Sequence, residues 1–535
     1  MPYGTGRLAF YVIPALLSIC VGPGSSLSRQ QSRVMPRSST LNKMPEVPED
    51  LEPKYWVQHG QDTLKRLLET DVVDAPAKNV IVFVGDGMGI STVTASRIYG
   101  GQLKGHRGEE SSLSFERFPF TALVKTYAVD KQVTDSAASA TALFCGAKTK
   151  FTMLGVSAMA NISECDSLAG HEMDSFIKRA QDKGMSTGLV TTTRVTHATP
   201  AALYTHSVHR DWENDARVPK DAVHKCKDIA RQLIEDVPGK NLNVILGGGL
   251  AHFKDKQTGG GKRGDGMNLI EDWKRSKQNR KFVTNREELL AVDTNATDYL
   301  LGLFADDHMA YELHRQEGSL KQPSLVDMVT TAVKLLRRNE NGFALMVEGG
   351  RIDHGHHENR AVLALRDAVE LSNAVAAAMD LTSPKETLVL VTADHSHAFT
   401  LNGYAPRGNS ILGSGGVSES DGMSYTTLSY ANGPSTTRRK NETDTESSDY
   451  QQAVLVPLKQ ETHGGEDVAL YASGPMAHLV HGVLEQNVVA HIIEYAACLG
   501  DGTTRRSKCL ESSSAPCRLD FGLWAALAAF LLVFR

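Results

Sequence analysis

The sequence predicts an α/β protein in which a central, mostly parallel sheet carries helices on both faces. Three features predict it. Short β-rich runs alternate with helical runs from residue 79 to 392; the strand runs are almost wholly apolar, as strands covered on both faces must be. Polar, chemically capable residues follow directly after those runs, at the carboxyl ends where open α/β sheets gather ligands. Residues 51–69 come first: Leu51, Tyr55, Trp56, Leu64, Leu67 and Leu68 recur at roughly helical spacing, giving an apolar face that must pack on something. Strands are then expected at 80–84, 122–129, 187–191, 243–246, 343–347 and 387–391, and helices at 136–144, 174–182, 221–236, 324–338 and 361–379. The texture changes at 404–450, which is rich in Gly, Ser, Thr, Asn and Asp and reads as a loop-dominated insertion. Strand signals return at 453–458 and 468–472, and a final helix is expected over 478–497.

The composition fits a folded chain. Of 535 residues, 41% are hydrophobic and 22% charged, which disfavours extended disorder and a polytopic membrane protein, and the net charge of −5 supplies no field for nucleic acid. Arg7, an apolar run over 8–21, and then Gly22, Pro23, Gly24, Ser25 and Ser26 have the order of a secretory signal. At the other end, 521–534 is uncharged and too short for a membrane-spanning helix; with small residues at 512–515 and a polar spacer at 516–520, it reads as a glycolipid-attachment signal. Export gives the cysteines meaning. Cys20 leaves with the signal and Cys517 with the tail, so Cys145, Cys165, Cys226, Cys498 and Cys509 remain. Cys145, in a small-residue apolar stretch, reads as a buried thiol, and the other four can form two bridges in an oxidising compartment. Asn161, Asn295 and Asn441 each begin an N-x-S/T sequon.

Several segments carry candidate chemistry. Gly85-Asp86-Gly87-Met88-Gly89 lacks the dinucleotide fingerprint, because Ile90 and Thr92 break it; a structural turn and a carboxylate held for a cation both fit. Ser136 opens a helix of small residues, which suits a plain cap and equally a nucleophile facing the free N–H groups of a helix start. His197 and Thr199 follow the third strand, and Arg210 offers a planar fork for two phosphate oxygens. Glu348 through Glu358 holds Glu348, Asp353, His354, His356 and His357, a set costly to desolvate unless cations neutralise it. Asp353 and His357, four apart, share one side of a helical turn, a usual spacing for two ligands of one Zn²⁺. Asp394 and His395 follow another buried strand, and His463 lies in Glu461-Thr462-His463-Gly464-Gly465-Glu466-Asp467.

In order, the motifs VGDGMG, VTDSAASATA, VEGGRIDHGHHE, TADHSH and ETHGGED make the chain resemble animal alkaline phosphatases over residues 53–497. The resemblance implies Ser136 as a nucleophile that becomes phosphoserine and Arg210 as the phosphate grip. It implies one Zn²⁺ on Asp353, His357 and His463, a second on Asp86, Asp394 and His395, and a Mg²⁺ on Asp86, Thr199 and Glu348, with His197 and His354 just outside the ligand shells. With those ions and Arg210, the four carboxylates leave a charge that matches a phosphate monoester dianion plus a serine alkoxide; deprotonated ligands imply an alkaline optimum. Disulfides are implied at Cys165, Cys226, Cys498 and Cys509. The family's division assigns 1–24 to a signal peptide, 25–45 to a flexible segment and 46–75 to an N-terminal helix that embraces the partner of a homodimer. It assigns 76–403 with 461–497 to the catalytic domain, 404–460 to a crown-like insertion, 498–512 to a stem, and 513–535 to a removed lipid-anchor signal. The implied setting is the cell surface. Thr199 stands where vertebrate members have serine and keeps the hydroxyl. Their calcium site finds Phe304-Ala305 and Gln322 here, without its carboxylates, although Asp306 could rescue it. A metallohydrolase of diesters or sulfates, and a binding protein that has lost turnover, are the competing readings.

Overall fold

The computed structural model describes residues 51–500, apart from 277, 319, 436, 437 and 439–443. The expected signal peptide, flexible segment and attachment signal therefore lie outside the described residues, as do Asn441 and Cys509. Two compact units divide after Leu68. Of the first, the described part is the helix α1 (Pro53–Leu68), which buries none of its residues and presents Trp56, Val57, Leu64, Leu67 and Leu68 to the surface.

The second unit is organised by a ten-stranded sheet. Its strands are β1 (Asn79–Gly85), β2 (Phe120–Lys125), β3 (Ser186–Arg194), β4 (Val244–Gly248), β5 (Arg280–Val283), β6 (Tyr299–Leu303), β7 (Phe343–Gly349), β8 (Thr387–Ala393), β9 (Val468–Ser473) and β10 (Gly482–Glu485). They lie in the order β10-β2-β9-β8-β1-β7-β3-β4-β6-β5. Among these strands β9 alone runs against its neighbours. Successive side chains of a strand point to opposite faces, and every residue of β1, β7 and β8 is buried, so both faces are covered there. The helices that matter below are α2 (Ile90–Gln102), α3 (Ser136–Cys145), α4 (Arg351–His357) and α5 (Ala361–Asp380).

Several boundaries differ from the sequence expectation, each for a local reason. The strand expected to reach residue 129 stops at Lys125, because Lys148 Nζ donates to the carbonyls of Lys125 and Tyr127 at 3.1 and 3.0 Å in place of a neighbouring strand. The helix expected over 221–236 shrinks to Ile229–Glu235: Asp228 caps it by accepting from Arg231 N, and Cys226 just before is bridged to Cys165. Over 478–497 only Val488–Ala496 is α-helical, since Gly482, at φ +73°, starts the edge strand β10 that pairs with β2. The insertion supplies two strands, Leu428–Gly433 and Val454–Pro457, of a separate three-stranded sheet completed by Phe399–Leu401 just before it, so the strand expected at 453–458 belongs there. Cys498 is also disulfide-bonded, while Cys145 is a buried free thiol.

One buried carboxyl of α5 ties stability to pH. Asp367 accepts from Glu312 N at 3.0 Å, and burial pushes its pKa up to about 8. The folded chain thus keeps a proton that the unfolded chain releases above about pH 4, and stability falls as pH rises from there to about 8. Asp367→Asn, which keeps the acceptor, is expected to leave the melting temperature unchanged near pH 4 and raise it by several degrees above pH 8. Thermal unfolding at both ends of the window checks this.

Candidate metal centre

Strand register brings the candidate segments together. Gly85 of β1 pairs with Gly349 of β7 on one side and Ala393 of β8 on the other, and Thr191 of β3 pairs with Glu348. Four parallel strands therefore end side by side, and Asp86, Glu348, α4 and Asp394 emerge at one edge, the position expected of an α/β ligand site. Gly87 makes the crowding possible: it sits at φ +68°, and a Cβ there would lie 2.3 Å from His397 Nε2.

Ser136 is the first residue of α3. Its Oγ lies 3.2 Å from His395 Nε2 and 3.4 Å from Asp86 Oδ1. Asp135 caps the helix, accepting from Ala138 N at 3.2 Å, and its other oxygen accepts from Arg210 Nη1 at 3.0 Å. One carboxylate thus orients both the helix start and the guanidinium. Arg210 Nη2 also reaches His197 Nε2, at 3.2 Å.

Carboxylates and imidazoles together form three overlapping groups able to hold metal ions: Asp353, His357, His397 and His463; Asp86, Asp353 and His395; and Asp86, His197 and Glu348; a fourth such group, His197, His308 and His354, is imidazole alone. In the first, His357 Nδ1 and His463 Nδ1 donate to the carbonyls of Glu461 and Thr134 at 2.6 and 2.8 Å. A carbonyl only accepts, so in each neutral ring Nε2 carries the lone pair. Those two lone pairs face each other at 3.2 Å, with Asp353 Oδ1 3.2 and 3.4 Å away. Two acceptors so placed need a cation between them, and ligands 2.0–2.1 Å from a tetrahedral zinc lie about 3.3 Å apart. In the second, His395 Nε2 lies 3.3 Å from both Asp86 Oδ1 and Asp394 Oδ2. In the third, Glu348 Oε1 and His197 Nδ1 are buried without a hydrogen-bond partner, Thr191 and Thr193 donate to Glu348 Oε2, and Thr199 donates to Asp86 Oδ2 at 3.5 Å. The residues present fit divalent ions.

The electrostatics agree. Burial, then repulsion from Asp394, Asp353 and Glu348, holds Asp86 well above the usual carboxylate range; burial likewise raises Asp394 and pushes Glu348 up to about 7. Asp353 behaves oppositely: burial works against its charge, but where protons instead of a metal ion occupy the facing Nε2 positions, the charge of His357 and the hydrogen bonds from His357, His397 and His463 outweigh it and hold it well below the usual range. Carboxylates that resist ionising together are stable as anions only when cations are present.

Two residues were missed by the sequence reading. His397 donates from Nδ1 to Glu461 Oε2 at 2.5 Å and from Nε2 to Asp353 Oδ1 at 2.9 Å; burial opposes its charge, but Glu461 and Asp353 hold its pKa up to about 10. It orients Asp353 as a donor. The alternation in His395-Ser396-His397 was the available signal, since residues two apart share one face of extended chain. His308, from the loop after β6, packs with its ring centroid 4.2 Å from that of His354 and edge-on 5.2 Å from that of His197, and nothing around it in sequence marks it out. His354 itself has a buried, unpartnered Nδ1 beside that ring. Among the described residues, Asp306 joins no metal-capable group of His, Cys, Asp or Glu, and Gln322 accepts from Ala310 N at 2.8 Å.

The profile of the alkaline phosphatase family matches residues 77–499, which contain every segment just described. The chain belongs to the alkaline phosphatase family. The human tissue-nonspecific alkaline phosphatase is 47% identical over 509 residues, covering 91% of this chain and 96% of the relative, and the alkaline phosphatase of Gadus morhua is 47% identical over 470 residues, covering 84% and 98%. Among solved structures, the alkaline phosphatase of Thermus thermophilus superposes with a TM-score of 0.59 at 25% identity, covering 81% of this chain and 94% of that one. That of the Antarctic bacterium TAB5 gives 0.56 at 22%, covering 79% and 98%, and shares the fold. As an alkaline phosphatase the protein is a phosphate monoester hydrolase, and the family implies divalent metal ions for which the three groups are the candidate holders.

Proposed function

We propose that this alkaline phosphatase hydrolyses a broad range of phosphate monoesters through a phosphoserine on Ser136, using two Zn²⁺ and one Mg²⁺. The observation that carries the reading is the placement of Ser136 Oγ, at the start of a buried helix and within 3.4 Å of both Asp86 and His395. Asp353, His357 and His463 would hold one zinc, Asp86, Asp394 and His395 the other, and Asp86, Glu348 and Thr199 the magnesium, with His197 and His354 beside them. Bound there, the ions would neutralise the carboxylates, polarise phosphoryl oxygens and favour the deprotonated forms of a serine hydroxyl and a water.

The chain's own groups account for the rest. Arg210, aimed by Asp135, grips two non-bridging oxygens of the phosphoryl group. Ser136 Oγ attacks phosphorus in line with the leaving alkoxide; the P–O bond to the alcohol breaks and a serine phosphate forms, helped by the free N–H groups at the start of α3. Water then attacks the same phosphorus from the side opposite Ser136 Oγ, releasing inorganic phosphate and restoring the hydroxyl. Activity rises with pH as nucleophile and ligands deprotonate.

The proposal extends to the setting. The chain is read as a secreted glycoprotein, modified at Asn161, Asn295 and Asn441, tethered to the outer cell surface by a lipid that replaces 513–535, and dimeric through α1. Asn161 and Asn295 are exposed, as acceptors must be, and the apolar face of α1 is uncovered within its own unit. Among the described residues no helix is long and apolar enough to cross a membrane. Brief mixing with a labelled monoester, followed by acid quench and peptide mass analysis, is expected to find phosphate on Ser136; label on no residue, or on another one, would remove the covalent step.

A further inference from the structure

We infer that Tyr430, His356 and Thr92 form a single positioning chain through which the loop-rich insertion controls how long a metal ion stays in the Asp353 group. The inference rests on the metal-binding reading of that group and concerns residues to which that reading gives no part. His356 lies on α4 between Asp353 and His357 and is fully buried. Its Nδ1 is 2.8 Å from the Tyr430 hydroxyl and its Nε2 3.0 Å from Thr92 Oγ1. Tyr430 belongs to the Leu428–Gly433 strand of the insertion and is buried; Thr92 lies in the first turn of α2, six residues after Asp86, and is buried too. One imidazole therefore ties together three segments remote in sequence: the insertion, the helix carrying Asp353 and His357, and the helix whose preceding turn carries Asp86.

The chain has a fixed polarity. A neutral imidazole has one donor and one acceptor nitrogen, so both contacts are made only when one hydroxyl donates and the other accepts. Cutting it at either end leaves a buried polar atom without a partner and frees α4 to shift relative to Asp86. The insertion also grips the far end of α4: Gln452 N donates to the carbonyl of Asn359 at 2.9 Å, and Gln452 Oε1 accepts from Ala361 N at 2.8 Å, at the start of α5. The His356 ring packs at a tilt against Phe399, centroids 4.9 Å apart, and against His397, 4.8 Å apart, so it has little room to re-aim. Groups that orient ligands without touching the ion set its affinity and exchange more than the chemistry it performs.

The test uses the metal-loaded full-length enzyme. Tyr430→Phe keeps the ring and removes only the hydroxyl; Thr92→Val removes the other end at nearly constant volume. Each is expected to speed loss of activity in excess chelator by about tenfold, while kcat and KM with zinc and magnesium in excess stay within about twofold of the parent, because no atom near the phosphoryl group changes. The double variant should be no worse than the faster single one, since both cut the same chain. The melting temperature should fall more in the metal-loaded than in the metal-stripped protein. A merely structural role predicts the reverse pattern: equal falls in both states and a parental chelation rate. That result in whichever variant folds, or additive rates in the double variant, would overturn the inference. A parent enzyme indifferent to chelator would remove the metal reading and this inference with it; a responsive parent matched by both variants would remove the inference alone.

Discussion

Ser136→Ala is expected to lower kcat for monoester hydrolysis by about a thousandfold or more while leaving the fold intact. The size follows from chemistry: without Oγ the hydroxyl held beside Asp86 and His395 is gone, and direct attack by water lacks the serine's fixed position. The small structural effect follows from the local bonding. Asp135, not Ser136, caps the helix and anchors Arg210, while Ser136 Oγ reaches Asp86 and His395 and no helix-capping partner among the described residues. Steady-state kinetics with a chromogenic monoester, beside a melting curve, separates the two effects. A variant that keeps a tenth of parental kcat would show that Ser136 is only a helix-start residue.

Asp86→Asn should have an effect of similar size through a different route, because Asp86 is shared by two of the four metal-capable groups. Removing its charge weakens both at once, so kcat/KM is expected to fall by about a thousandfold or more and metal content to drop. The stability consequence has two signs. In metal-stripped protein Asp86 is held well above its ordinary pKa by burial and by Asp394, Asp353 and Glu348. Its charge therefore opposes folding once the pH exceeds the unfolded value of about 4. Asparagine carries no charge, so the stripped variant should melt higher than the stripped parent at neutral and alkaline pH, whereas the metal-loaded variant should melt lower than the loaded parent. Paired calorimetry of both proteins in both states reads out the crossing. Equal shifts of the same sign would mean that the carboxylates are paired by something other than cations. A destabilised metal-free site is the cost of a strong one.

The segments that the sheet brings together at its carboxyl edge were largely legible in the sequence, because several begin directly after an apolar run. Val84 precedes Gly85-Asp86, Val347 precedes Glu348, and Thr392-Ala393 precede Asp394. What local pattern could not supply was adjacency. That β1 lies between β7 and β8, with β3 beyond β7, is long-range pairing with no signature in either partner strand. His397 escaped because it acts through Asp353, and a residue that orients a ligand carries no ligand spacing of its own; Glu461, quoted only as a neighbour of His463, acts one step further back through His397. The short strands Arg280–Val283 and Tyr299–Leu303 were overlooked at the sheet edge, where four or five residues give too little periodicity to separate from loop. Tyr430 illustrates the largest gap. A segment poor in pattern and rich in glycine and serine reads as loop, yet it contributes a strand whose buried tyrosine hydroxyl reaches the helix of Asp353 and His357.

The central claim is that Asp86, Glu348, Asp353, His357, Asp394, His395 and His463 hold divalent ions beside Ser136, and that turnover depends on those ions. Metal content and monoesterase activity, measured on the same samples through chelation and stepwise return of zinc and magnesium, test it most directly. The account predicts that activity disappears as zinc is removed and returns with it, magnesium restoring the remainder. Full activity in protein freed of metal would contradict it.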